Sequence, residues 1–359
     1  ASLPEQEGGR TWISHPWLRL GLLLCAAFAA DLYALSLLEA YWLPARGWLF
    51  FLFAVSLGLY AFWQADGPAK ARGAGGASPD APTALPGSAA TRQPAVQGRM
   101  GSGEVVFLVI ALLVAAFFRF YRLDELPYGL WYDEAMNGLD AESILQNRIY
   151  PVYFEANFGR ASLFLYVVAT AFKVLGANAF SLRLVVAAVG VLTIPAFYKM
   201  AHHFFGVRVA MVGTMLLAVS RWHVNFSRIA FDAPFAVFFA CATLYFLGRG
   251  LRSGRLKDYA LAGAAIGLGM HTYQAFRLIP LVILLYLGHK LAFERSRARQ
   301  VVPGLAAFLI IAMLVFSPLA AYAVQNPEQF LARADSASVF KGLTPEQGKE
   351  AVWQNVQKH

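Results

Sequence analysis

Two adjacent carboxylates, Asp133 and Glu134, stand at the centre of LPYGLWYDEAMNGLDAE, residues 126–142, directly after the aromatic residues Tyr128, Trp131 and Tyr132. A carboxylate held within hydrogen-bond reach of a hydroxyl can take its proton while that oxygen attacks an electrophile. The plain alternative is that the two acids open a surface helix, where negative side chains favour the positive end of the helix dipole. Ala135, Leu139 and Ile144 come next at helical spacing and predict a helix with the pair in its first turn. Interfacial aromatics beside the acids place them at a membrane surface.

Further polar groups recur between apolar blocks. HVNFSRIAFD carries His223, Asn225, Arg228 and Asp232, the last two spaced i and i+4, and HTYQAFR carries His271, Tyr273, Gln274 and Arg277. Arg183 opens another apolar block. Each has a bland reading: an ion pair within one helix for Arg228 and Asp232, or an arginine reaching from the membrane to water for Arg183 and Arg277. Together they offer a carboxylate pair, a second acidic site at Asp232 and several guanidinium groups. Guanidinium binds phosphate oxygens in a bidentate way and stabilises charge on a phosphate leaving group. Acids on two loops also suit a divalent ion, which takes oxygen ligands. The residues leave these alternatives open.

The elements that carry these groups are membrane helices. The 359 residues are 58% hydrophobic and 14% charged, with mean hydropathy +0.51, and the apolar residues fall in long blocks. This predicts an all-α polytopic membrane protein. The net charge of +9 lies in short links between blocks, as topology signals do, so nucleic acid is not an expected partner. Cys25 and Cys241 lie inside apolar blocks, far apart, with no CxxC or Cys/His spacing around them. Nine spans are expected, near 17–38, 48–63, 104–120, 181–201, 207–222, 233–248, 258–273, 275–290 and 302–323, the first two joined by a turn at Pro44 and Gly47. Asp31 lies within the first of them.

The basic links KMAHHFFGVR, RGLRSGRLK and HKLAFERSRAR share one side with the basic linker only if 161–175 stays at the surface as an interfacial or re-entrant helix. The N-terminus is then cytoplasmic, the C-terminal segment external, and every polar cluster named above falls on the external face. The chain divides into four regions: an accessory hairpin (1–63), a flexible Ala/Gly/Pro-rich linker (64–103), a transmembrane core (104–323) and an external amphipathic segment (324–359).

Three stretches carry a resemblance to a known family. They are LWYDEAMNGLDAESIL, FGRASLFLYVVATAFKVLGANAFSLRLVVAAVGVLTIPAFYKMAHHFFG and SRWHVNFSRIAFDAPFAVFF. From about Glu104 onward the chain resembles GT-C membrane glycosyltransferases that use polyprenyl-phosphate sugars, the branch of protein O-mannosyltransferases and aminoarabinose transferases. The resemblance implies a GT-C helix bundle with a long first external loop carrying interfacial helices. It implies Asp133 as catalytic base with Glu134 beside it, Asp232 as the second-loop acid, and Arg183, Arg228 and Arg277 as donor-phosphate ligands. Substrate contacts would come from His271, Tyr273, Gln274, His223 and Asn225. The hairpin and linker lie outside the family core, and family members usually continue beyond the point where this chain ends.

The expected function is transfer of a sugar from a polyprenyl-phosphate carrier to an external hydroxyl of a lipid, glycan or protein, by inverting displacement. A divalent metal ion is an open requirement. The alternative is a non-catalytic GT-C-derived subunit of a larger complex, with a partner subunit docked on it. A transporter would show inverted repeats of broken helices, which this sequence lacks. Its Ala-, Gly- and Arg-rich usage fits a bacterial inner membrane, with the active face periplasmic.

Overall fold

A computed structural model describes residues 16–39, 44–66, 100–156, 159–293 and 298–337. They form a multi-pass helical membrane protein with one small β-pairing. The hairpin is α1 (Pro16–Glu39) and α2 (Pro44–Ala65), and α3 (Ser102–Phe120) begins the remainder. The first long loop holds α4 (Tyr132–Asn147), strands β1 (Tyr153–Phe154) and β2 (Arg160–Ala161), and α5 (Leu163–Leu175). The strands are antiparallel, with Tyr153 opposite Ala161 and Phe154 opposite Arg160. Then come α6 (Ala179–Phe205), α7 (Val207–Val219), α8 (Arg221–Arg228), α9 (Ala233–Ser253) and α10 (Leu256–Met270). A 3-10 turn (Gln274–Leu278) leads into α11 (Ile279–Phe293), followed by α12 (Ala298–Gln325) and α13 (Pro327–Ala337).

Seven of the nine expected spans are helices long and apolar enough to cross a membrane: Trp17–Leu38, Ala45–Ala65, Ser102–Phe120, Ala179–Phe205, Ala233–Ser253, Gln274–Phe293 and Val301–Gln325. The other two, α7 and α10, have 13 and 15 residues, against the roughly 20 that span a bilayer core. The expected span 207–222 is cut short because the chain bends at Ser220 and starts a separate helix, α8. Both short helices nevertheless connect the two ends of the bundle. The start of α3 meets the end of α6, where Tyr198 donates to Glu104 at 2.6 Å. The end of α3 meets the end of α7, where Arg119 donates to the Ala218 carbonyl at 2.9 Å. Since α7 comes directly after α6, it runs from one end to the other. The surface helix expected at 161–175 is α5, a 13-residue helix within the first long loop that packs against α4 and α6.

The hairpin packs continuously with the core. Ala27, Ala54 and Ala61 share one apolar cluster with Leu247, Ala262, Ile311 and Val315. Ser317 donates to Asp31 Oδ1 at 2.9 Å across α1 and α12. At the far end, Asp66 accepts the first backbone N–H groups of α10, from Leu256 at 2.8 Å and Lys257 at 2.9 Å, so the hairpin supplies that helix's N-cap. Gly47, expected in a turn, lies in the first turn of α2, where a Cβ would come within 2.8 Å of Leu38. In α10, Gly263 and Gly267 form a GxxxG pair that lets α12 approach: a Cβ on Gly263 would sit 2.3 Å from the Phe308 carbonyl oxygen. Most of the linker and of the C-terminal segment lies outside the described residues; Gln64 and Ala65 belong to α2, and Val324 and Gln325 to α12.

Candidate functional site

Helix α4 begins after Trp131, and Glu134, three residues later, reaches back to accept the Trp131 N–H at 3.0 Å. This is the reciprocal half of a capping box. It fixes the first turn of the helix and turns the two acids apart. Glu134 points inward and is 1% exposed, while Asp133 remains partly exposed.

The Glu134 carboxylate is filled. Oε1 accepts from Arg183 Nε at 2.9 Å and from the Ala230 N–H at 3.0 Å; Oε2 accepts from Arg183 Nη2 at 3.2 Å and from Trp131. An acid with four donors on it has no lone pair left for a substrate proton. Glu134, expected beside Asp133 as a catalytic group, is buried with both oxygens engaged by the protein.

Two of the arginines are engaged by the protein in the same way. Asn178 caps α6 by accepting the Ser181 N–H at 2.9 Å, which sets the second turn of the helix so that Arg183 faces α4. Arg183 is 1% exposed and gives its remaining donors to the carbonyls of Pro127, at 2.9 Å, and Gly129. Arg228, expected to face phosphate or to pair with Asp232, donates to the carbonyls of Phe118 and Tyr121 at 2.8 Å and of Leu126 at 3.1 Å. Burial, with the charge of Arg183 nearby, lowers its pKa. Both arginines are struts that draw the backbone of residues 118–129 inward. The physical reason is the loop itself, whose turn carbonyls lack helix or sheet partners and take guanidinium donors instead. Much of the stretch is exposed, Tyr128 by 83% and the following Trp131 and Tyr132 by 67% each, while Leu123 is buried.

Arg277 is held differently. Its guanidinium stacks on Phe330 of α13 at 3.9 Å, Nη1 reaches the Phe330 carbonyl only at 3.5 Å, and its buried Nε has no partner among the described residues. Nearby, Gln274 donates to the Gly159 carbonyl at 3.3 Å and lies 3.5 Å from the Tyr153 hydroxyl, tying the 3-10 turn to the β-hairpin. Tyr273 is partly exposed.

The two histidines expected as substrate contacts are inside the protein. His271 makes a 2.9 Å hydrogen bond with the Val315 carbonyl. His223 is 7% exposed and accepts from Arg119 Nη2 at 2.8 Å. Burial, with Arg119 adding to it, pushes its pKa down to about 4, so the ring is neutral and its Nε2 carries the hydrogen. Asn225 is exposed on α8. Asp232 is partly exposed at the N-cap of α9, its side chain making no capping bond.

Four residues were not singled out in the sequence. Arg119, wholly buried at the end of α3, donates to the Ala115 and Ala218 carbonyls at 3.1 and 2.9 Å and braces His223. Asn137 donates to the Ala230 carbonyl at 2.7 Å and accepts from Arg160, which also pairs with Asp140. Burial raises the pKa of Asp140 and Arg160 opposes the rise. A signal was present: Glu134, Asn137 and Asp140 recur every third residue of α4, a polar stripe along one side of the helix.

The first loop, the second loop and the 3-10 turn thus meet at one end of the bundle. Of the expected site residues His271 alone lines any of three cavities: one of about 350 Å³ between α2, α5 and α10 beside Trp48, Tyr166 and His271, one of about 720 Å³ between α1 and α12 at Asp31, and one of about 290 Å³ between α10, α11 and α12. Among the described residues no cluster of three or more His, Cys, Asp or Glu has the arrangement of a metal site.

Residues 160–322 match the family model of dolichyl-phosphate-mannose-protein mannosyltransferase. No curated protein matches the chain. Among solved structures, the chain is similar to the S. cerevisiae protein O-mannosyltransferase Pmt1-Pmt2 complex bound to the sugar donor, with TM-score 0.52 and 18% identity over 66% of this chain and 35% of that one. It also matches ArnT from Cupriavidus metallidurans, with TM-score 0.47 and 19% identity over 63% of this chain and 42% of that one. AglB from Archaeoglobus fulgidus, solved with an inhibitory peptide and a dolichol-phosphate, gives 0.47 and 18% over 71% and 36%. The chain therefore spans well under half the length of these proteins. Its fold is thus like that of the yeast protein O-mannosyltransferase, and residues 160–322 carry the match to the mannosyltransferase family model.

Proposed function

We propose that this chain carries the reaction centre of a membrane glycosyltransferase that moves a sugar from a polyprenyl-phosphate carrier to an acceptor hydroxyl at an extracytoplasmic membrane face. The observation that carries the reading is the division of labour within the acid pair. Glu134 is saturated by Arg183, Ala230 and Trp131, and that network presents the partly exposed Asp133 at the end of the bundle where the loops meet.

In this reading Asp133 takes the proton of the acceptor hydroxyl as its oxygen attacks the anomeric carbon. The bond from that carbon to the phosphate oxygen breaks on the opposite side, so configuration inverts and polyprenyl phosphate leaves as an anion. Arg183 and Arg228 each serve several loop carbonyls, whereas Arg277 makes one long hydrogen bond to a carbonyl, and we assign it the leaving phosphate. Asp232 stands on the second loop as a further acid at the same end. Positioning and proton removal account for the rate, since the leaving group is already a good one.

The test is release of polyprenyl phosphate from radiolabelled polyprenyl-phosphate sugars by the protein in lipid nanodiscs, with and without divalent metal. Asp133→Asn keeps shape and removes the base, so turnover should fall by a factor of about a hundred or more with donor binding retained. Equal turnover in variant and wild type overturns the role of Asp133. No turnover in either, across several donors, supports instead a GT-C-derived subunit that works with a partner. Arg277→Ala should raise the donor KM by about tenfold or more while changing kcat less, the pattern for lost ground-state binding.

A further inference from the structure

Ala230 is gripped on both polar groups of its backbone by one face of α4. Its N–H donates to Glu134 Oε1 at 3.0 Å, and its carbonyl accepts from Asn137 Nδ2 at 2.7 Å. Ala230 is wholly buried, two residues before Asp232. Glu134 stands directly after Asp133. Each of the two partly exposed acids is thus one or two residues from a position fixed in the same clamp.

The clamp works only if the Asn137 amide faces the right way, because its oxygen end would repel the Ala230 carbonyl. Arg160, at the start of β2, settles this. Its Nη1 donates to Asn137 Oδ1 while its Nη2 pairs with Asp140, so the amide oxygen is drawn toward the guanidinium and Nδ2 is left facing Ala230. Arg160 and Asp140 are both largely buried, which shields the pair from competing water. Asp140 stands one turn beyond Asn137 and holds Arg160 in place.

We infer that Asn137, oriented by Arg160, is a positioning residue that holds the Asp232 loop in register with Asp133 for the transfer step. The inference rests on the glycosyltransferase reading for its catalytic consequence, whereas the clamp itself can be measured without turnover. Asn137 touches no substrate in this scheme and acts through the backbone of Ala230.

The informative substitution is Asn137→Asp. It preserves size and still accepts from Arg160, but it replaces the N–H donor facing Ala230 with an oxygen. Asn137→Ala is the second variant, in case the added charge disturbs folding. In the full chain in nanodiscs, amide hydrogen exchange at residues 229–232 should quicken by about tenfold or more in both variants, because a buried hydrogen bond that holds the segment closed is lost. Exchange in the cores of α6 and α12 should stay unchanged. Unaltered exchange at 229–232 overturns the clamp.

Turnover of polyprenyl-phosphate mannose then tests the coupling. Asn137→Ala should lower kcat by about tenfold with donor KM within about twofold, the signature of misplacement rather than lost binding. The double variant Asn137→Ala/Asp232→Asn should be no slower than Asp232→Asn alone, because both changes disable one route. Multiplying effects overturn the inference. If neither wild type nor Asp133→Asn turns over any donor, the glycosyltransferase reading fails, and if Asp133→Asn turns over like wild type, the role of Asp133 fails; in either case the catalytic role of Asn137 falls with it, while the exchange result still decides the clamp.

Discussion

Glu134 and Arg183 illustrate how residues that look alike in sequence separate into different roles once the chain folds. Each is about 1% exposed, and the pair is completed by backbone groups at both ends. Removing one partner of such a pair leaves the other charge buried, at a cost of roughly 3–5 kcal/mol. Glu134→Gln should therefore lower thermal stability by several degrees and impair turnover through displacement of the loop; a variant as stable as wild type would contradict the structural role. His223 gives a pH prediction. Its folded pKa, about 4, lies below the ordinary value of 6.5, so above pH 6.5 the ring is neutral in folded and unfolded chains alike. Between pH 6.5 and 4 the unfolded chain takes up a proton that the folded chain refuses, and stability falls by something on the order of 3 kcal/mol across that window. His223→Asn keeps an acceptor toward Arg119 without titrating. Its unfolding temperature should decline less than that of wild type between pH 7 and pH 4.5; equal declines would remove His223 as the cause.

At the scale of elements, two helices set the architecture. Helix α10 is only 15 residues long, yet it is enclosed by the hairpin, α9 and α12 and approaches α12 through Gly263 and Gly267. A side chain at Gly263 would meet backbone rather than a flexible side chain, so Gly263→Val should force the helices apart and lower the unfolding temperature markedly. Gly288 has open space around it, and Gly288→Ala is the matched control. Helix α7 tests the path of the chain. Although it has only 13 residues, it links the Glu104 end of the bundle to the Arg119 end. In a background lacking Cys25 and Cys241, a cysteine at Trp222 should react with a membrane-impermeant maleimide from outside the cell, and one at Phe205 should not. Labelling of both from the same side would refute the crossing.

At the scale of the molecule, the hairpin outside the family match is built into the same packed unit as the core. Asp31 bonds to Ser317 within the membrane, Trp48 donates to the Tyr150 carbonyl near the site end, and Asp66 caps α10 at the opposite end. The three contacts lie at three depths, so the hairpin is fixed along its length. Its contact with Tyr150 also ties it to the first loop, which carries α4 and therefore Asp133.

Helical membrane architecture and the convergence of the polar clusters at one end could be read from the sequence, because they depend on the length of apolar blocks and the placement of basic links. Bilayer thickness imposes those patterns residue by residue, before any tertiary contact forms. The acid pair was legible as a type and a spacing. Which acid would face outward was not, since that turns on a capping bond from Glu134 to Trp131 and on donors that arrive from Arg183, 49 residues away, and Ala230, 96 residues away. The arginines were legible as cations near the membrane surface, but only the folded loop, with carbonyls that lack other partners, decided that Arg183 and Arg228 would serve the backbone. A hydrogen bond between distant segments leaves no periodic trace in either one; it exists only where the fold brings an unpaired donor and acceptor together.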